Sequence, residues 1–220
     1  MPTTLNPTVD GHVGARTSDW NTLLTATSGK SVNTSSTAGS GTAESSGTFS
    51  IGAARSISGG THNHRHSFFE FDTSAIASVN AAKLRLYVDS VGVSNHEIIV
   101  CQGTFSGIAS VSFFNSFTRI GPYNDSGVQM VPGQYNDITF NIAGEGAISS
   151  LSTLKLMVID YEYVFLEQQP SANTTAITNI RYSEDSSFPP QLVIEEGPPP
   201  PGPVILTSGL VQITEGLISI

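Results

Sequence analysis

Charge is what this chain has least of: only 12% of its 220 residues are Asp, Glu, Lys or Arg, about half of the usual 25%. That shortage speaks against a helical bundle, whose exposed faces need Glu and Lys. Basic residues are the scarcer sign, with nine Lys and Arg against 18 acidic residues and a formal net charge of -9. Nine scattered cations make no phosphate-neutralising patch, so nucleic acid is not an expected partner. Cys101 is the only cysteine, which excludes an intramolecular disulfide and leaves burial to stabilise the fold. No apolar run approaches the roughly 20 residues needed to cross a bilayer as a helix, and membrane insertion is not expected. The opening MPTTLNPTVD has neither a cationic nor an apolar signal region, so cytoplasmic synthesis without a secretory signal is expected. Catalytic signatures are missing too: there is no G-x-S-x-G elbow, H-E-x-x-H or P-loop. A non-enzymatic protein is expected.

What fills the chain instead is Ser, Thr, Gly and Asn, densest over residues 31–47. Such a stretch cannot bury enough apolar area to order itself and reads as a long loop. Trp20, Leu23 and Leu24 are its nearest apolar anchor, read as an early strand. From residue 48 the pattern is alternation. In KLRLYVD, Leu84, Leu86 and Val88 share one face, with Lys83, Arg85, Tyr87 and Asp89 on the other. DITFNI likewise turns Ile138, Phe140 and Ile142 inward, the period of half-buried strands. EIIVCQ (97–102) and LKLMVIDYEYV (154–164) are continuously apolar, as for central strands covered on both faces. Further strands are predicted around Phe68–Phe71, 49–55, 177–182 and 191–195, with a short helical turn in 143–152. Eight to ten strands with turn-rich connections predict an all-β antiparallel sandwich or jelly roll over residues 1–196.

GPPPPGP (197–203) then predicts an extended spacer. Beyond it, over 204–220, two heptapeptides match position by position, LTSGLVQ (206–212) and ITEGLIS (213–219). Glycine mid-helix costs about 1 kcal/mol relative to Ala, so Gly209 and Gly216 favour short strands over a coiled coil. A strand pair this small is marginal alone. Leu206, Leu210, Val211, Ile213, Leu217 and Ile218, with the two glycines permitting close approach, are therefore the predicted assembly interface.

The stretch HSFFEFDTSAI followed by AAKLRLYVDS (66–76 and 81–90) resembles the R-x-F-L-x-F-D-T-S-x-I…A-x-L-x-L-Y signature of a jelly-roll family called DNRLRE-like or carbohydrate-binding-module-like. DGHVGARTSDWNTL and RYSEDSSFPPQLVIEE fit that family's opening and closing strands. The resemblance spans residues 9–196; the insert at 31–47, the HNHRH run and the C-terminal tail depart from it. Similar domains are frequent in structural proteins of tailed bacteriophages, especially marine ones, and in secreted bacterial surface proteins. With no secretory signal expected here, the resemblance implies a tailed-phage structural protein, displayed on the virion surface and made in the host cytoplasm. Within a virion the tail would join copies of the chain, most simply as a homotrimer, with other virion proteins as further partners. Fold alone does not decide function, and the alternative is a module or adhesin that binds cell-surface polysaccharide.

Several residues are candidates for sites, each with a plainer reading. His62, His64 and His66 would face one way on a strand, but i and i+4 lie almost 14 Å apart; one ion could be shared only across a threefold axis, and the plainer reading is a solvated polar edge. Asp10, Asp19, Asp72, Asp125 and Asp137 could ligate a structural calcium, yet no D-x-D-x-D-G loop exists and turn capping accounts for most. Trp20, Tyr87, Tyr123, Tyr135, Tyr161 and Tyr163 could stack on sugars, with Tyr87 the best surface candidate; core packing is the commoner role. Glu70 and Asp72 share a strand face, as solubilising carboxylates often do. Cys101 reads as a small buried hydrophobe. No cofactor is expected.

Overall fold

The computed structural model describes residues 2–34, 42–43, 48–56, 60–93, 95–107 and 109–198. The predicted spacer beyond Pro198 and the assembly residues Leu206, Gly209, Leu210, Val211, Ile213, Gly216, Leu217 and Ile218 lie outside them, as does most of the Ser/Gly-rich insert. In chain order the elements are β1 (Thr3–Leu5), β2 (Val9–Thr17), α1 (Trp20–Thr25), β3 (Ser31–Thr34), β4 (Thr42–Ala43), β5 (Thr48–Arg55) and β6 (His62–Asp72). Then come β7 (Val79–Val91), β8 (Glu97–Gly103), β9 (Phe117–Thr118), β10 (Val128–Gln129) and β11 (Gln134–Thr139). The chain closes with α2 (Ile142–Ser150), β12 (Thr153–Asp160), β13 (Thr175–Arg181) and β14 (Gln191–Glu196).

The predicted antiparallel β fold is what the chain forms, with fourteen strands among the described residues rather than eight to ten. The surplus consists of short pairings such as β9 and β10, too brief to show a period. All described pairings are antiparallel except the short contact of β3 with β4. Two layers can be traced through the network. In one, β7 pairs with β11 along one edge and with β14 and β13 in succession along the other. In the second, β6 lies between β2 and β12, and β12 leads to β8. Strand β5 belongs to both, pairing with β13 and then, from Gly52 onward, with β6. Gly52 has φ +143°, and a Cβ there would sit 2.0 Å from the Ala176 carbonyl oxygen. Only glycine permits that crossing.

Between the layers, Leu84, Leu86 and Val88 of β7 pack with Phe69 and Phe71 of β6, Ile98 and Val100 of β8, and Leu154, Leu156 and Val158 of β12. The alternate residues Phe68, Ile99, Cys101, Met157 and Ile159 form a second core on the outer side of the second layer. It is covered by Leu23 of α1 and by Phe105, Phe113 and Phe114. The expectation of doubly covered central strands therefore holds for 97–102 and for 154–160. Cys101 is buried as read, and burial pushes its thiol up to about 12.

Three local expectations fail. Trp20–Thr25 is helix, not strand: the Asp19 carboxylate accepts from the Asn21 and Thr22 amides. One helical turn then buries Trp20 and Leu23 together and leaves Leu24 half-buried. The other end of α1 is closed by Asn115, whose amide donates to the Leu23 and Ala26 carbonyls at 3.0 and 3.1 Å. Ile142 is 87% exposed rather than inward. Asn141 accepts from the Ala143 and Gly144 amides and starts α2, which ends the strand's alternation. Finally, β12 stops at Asp160, and Tyr161–Phe165 form a single π-helical turn.

Candidate functional site

Both ends of the described sandwich lie at one pole, since Thr3 pairs with Ile194 and Glu196 with Val79 at the start of β7. Thirteen residues of β7 carry the fold roughly 40 Å to the opposite pole, at about 3.3 Å per residue. There a cleft of about 620 Å³ opens. Its walls come from Val93 and Asn95–Glu97, the turn after Asp160 and the approach to β13 (Asn173–Ala176), with Leu166 and Gln168 at one side.

A buried polar chain holds these walls in register. His96 Nδ1 lies 2.6 Å from Thr178 Oγ1, and His96 Nε2 lies 2.8 Å from Asp160 Oδ2. The other Asp160 oxygen accepts from the Tyr163 amide at 2.5 Å. His96, Asp160 and Thr178 are all buried. Such groups cost stability unless every member is paired, and when paired they specify geometry. Here they join β13, the start of β8 and the end of β12 to the π turn that carries Tyr161, Glu162 and Tyr163. Burial first, and then the neighbouring Glu162 carboxylate, raise the Tyr163 phenol above its ordinary value. Tyr161 stacks on Phe165 with ring centroids 5.8 Å apart. A Cβ on Gly127 would lie 2.4 Å from the Tyr161 ring and 2.6 Å from Glu97 Oε2, so that backbone braces both side chains from behind. Asn173, in the wall, and Glu167, beside it, take positive φ values of 66° and 57°. Non-glycine residues in that region concentrate at functional sites, as do π turns.

The predicted site residues go to different places. Tyr161 and Tyr163 line the cleft. Tyr123 is core. Tyr87 sits on the outer face of β7 as expected but is half-buried: Phe188 stacks on it at 4.0 Å, and Tyr135 meets its edge at 5.5 Å. Trp20 lies over the histidine row, 4.6 Å from His64.

That row is not a solvated edge. His62, His64 and His66 face the outer core, with at most 2% exposure, and Phe114 stacks on His66 at 4.7 Å. Among the described residues, neither ring nitrogen of His64 or of His66 has a hydrogen-bond partner. Burial is the main cause that lowers His64 to about 3 and holds His66 well below its ordinary 6.5. Among the described residues no group of three His, Cys, Asp or Glu side chains converges on a metal position. The aspartates do structural work. Asp19 caps α1, Asp72 accepts from the Ser74 amide, Asp10 from the Ser183 amide, Asp125 from Asn141, and Asp137 from Lys83 and Arg85. Glu70 lies 3.4 Å from Lys155.

The sequence reading missed His96, Asp160 and Thr178, which are isolated in the chain and meet only through the sandwich. Tyr161 and Tyr163 were named, but on a strand. The one available signal was Asp160, a polar residue closing an apolar run where a turn can begin.

The chain matches no protein-family model, and no curated protein matches it. The class that the fold defines is an all-β sandwich with an open polar cleft at one pole.

Proposed function

We propose that the chain is a non-enzymatic structural protein of a bacteriophage virion, a sandwich head displayed on its C-terminal assembly tail. The observation that supports this best is the polarity of the head. Strand β14 leaves beside β1, and the Ser78 hydroxyl donates to the Gly197 carbonyl at 3.0 Å where the spacer begins. A tail anchored there holds the head by one pole and leaves the cleft pole outermost. The resemblance of residues 66–90 to phage jelly-roll proteins supports the same reading. In it, copies associate through Leu206, Leu210, Val211, Ile213, Leu217 and Ile218 as a homotrimer on a capsid or fibre. Each such side chain contributes about 1.5–3 kcal/mol when fully buried, so most of them must be covered together. Deleting the residues after Gly197, or placing Asp at Leu210 and Leu217 in the full chain, is expected to give monomeric, folded heads by light scattering and to abolish incorporation into particles. Unchanged oligomeric state in both would overturn the reading.

A second reading, recognition of a cell-surface polysaccharide, is supported by the cleft at the outermost pole. A displayed head and an adhesive one are compatible.

A further inference from the structure

We infer that the cleft beside His96 is a saccharide site selective for neutral or amine-bearing sugars over anionic ones. This deepens the polysaccharide-binding reading and rests on it. The chemistry of the walls is the first ground. Glu97, Glu162, Gln168 and Asn173 present carboxylate and amide groups, with Tyr161 and Tyr163 beside them. Carboxylates and amides accept from sugar hydroxyls and ammonium groups, and a tyrosine ring covers the C–H face of a pyranose. Apolar groups in the walls are few and dispersed, so a peptide or lipid anchor would find no hydrophobic pocket.

Charge sets the selectivity. Among the described residues no Lys or Arg lines the cleft, and the carboxylates of Glu97 and Glu162 repel sulfate and uronate where no described side chain offers a counter-charge. A shallower groove, which shares Asn173 and Thr175 with the cleft, holds Arg16 and Arg55. Anionic polymers would go to that neighbour instead. Preorganisation is the second ground. The Tyr161–Tyr163 turn is held by Asp160 and His96 through buried hydrogen bonds, so ligand binding need not order it, and affinity is lost less to ordering. His96, with both nitrogens engaged, acts here as a positioning residue.

The test is calorimetry on the full-length protein with three probes: oligomers of glucosamine, uncharged gluco-oligosaccharides, and heparin. Binding is expected for at least one of the first two and not for heparin in the cleft. Glu162→Gln, an exposed change, should weaken glucosamine binding about tenfold, as for one charge-assisted hydrogen bond. Tyr163→Ala should weaken both uncharged and amine-bearing probes. Thr178→Val should lower affinity while leaving the ranking of probes intact, and Thr178→Ser, which keeps the hydroxyl beside His96, should retain it. Unchanged affinity in folded Glu162→Gln and Tyr163→Ala overturns the assignment, as does a chain that binds only heparin and loses it in Arg16→Ala. Binding of none of the probes overturns the saccharide reading itself. The head-and-tail proposal is judged separately by oligomeric state, which these variants leave unchanged.

Discussion

Strand β7 buries Leu84, Leu86 and Val88 and leaves Lys83, Arg85 and Tyr87 half-exposed, whereas β8 buries four residues in succession, Ile98–Cys101, and β12 five, Leu156–Asp160. One layer of the sandwich has a wet outer face. The other carries a second core there, roofed by α1 and the segment around Val111–Phe114. The roof is built from elements that have little cohesion alone: six residues of helix are too few to be stable without packing. Where a sheet has a roof, polar residues on its outer face are stranded inside. The histidines of β6 are the result.

Acid should expose that difference most strongly. His64 and His66 have folded-state values below the ordinary 6.5, so the unfolded chain binds their protons first. Their contribution is fully present above about pH 6.5 and is lost as pH falls toward about 3, the folded value of His64. At about 1.4 kcal/mol per pH unit, His64 alone removes between about 2 and 3 kcal/mol from pH 6.5 to 4.5, and His66 acts in the same direction. Denaturant melts at those two pH values measure it. His64→Leu should flatten the dependence, and an unchanged slope would remove the row as its cause. His12, which burial and then Arg65 lower to about 4, adds to the same slope from the inner side.

The two outer faces should differ next in mutational cost. Phe68→Ala opens the second core and is expected to cost about 3–5 kcal/mol, the range for a buried phenylalanine. Tyr87→Ala on the other layer should cost clearly less, because its ring is half-exposed. Equal losses in a chemical melt would mean that Phe188 and Tyr135 form a roof of their own.

Smallest is the electrostatic change on the wet face. Burial raises the Asp137 carboxyl, but hydrogen bonds from Lys83 and Arg85 outweigh it and leave the value low. The pair is about a third exposed, so Asp137→Asn should cost less than about 1 kcal/mol at neutral pH. Salt titration of the melting temperature in the two proteins would detect it. A larger loss would show that this face is less wet than its exposure implies.

The period of two along 83–88 and the unbroken apolar runs at 97–102 and 154–160 were legible because they reflect burial directly. They even distinguished the layer with one covered face from the layer with two. The roof was not legible, because Trp20, Leu23 and Phe113 lie in short segments where no period can develop. The histidines were misread for the same reason: without a roof, three alternating imidazoles belong at an edge. At the cleft, the tyrosines were visible as residue types, but the contact of His96 with Asp160 and Thr178 joins positions 64 and 82 apart in sequence.

Trp20 is the only tryptophan in the chain, and it rests against His64 at the centre of the roofed face. Its emission is therefore a local signal. A protonated imidazole at that distance quenches indole, and lifting of α1 would shift the spectrum to the red before the strands separate. The molecule thus carries its own optical reporter for the roof, with no label required, while circular dichroism follows the sandwich beneath it.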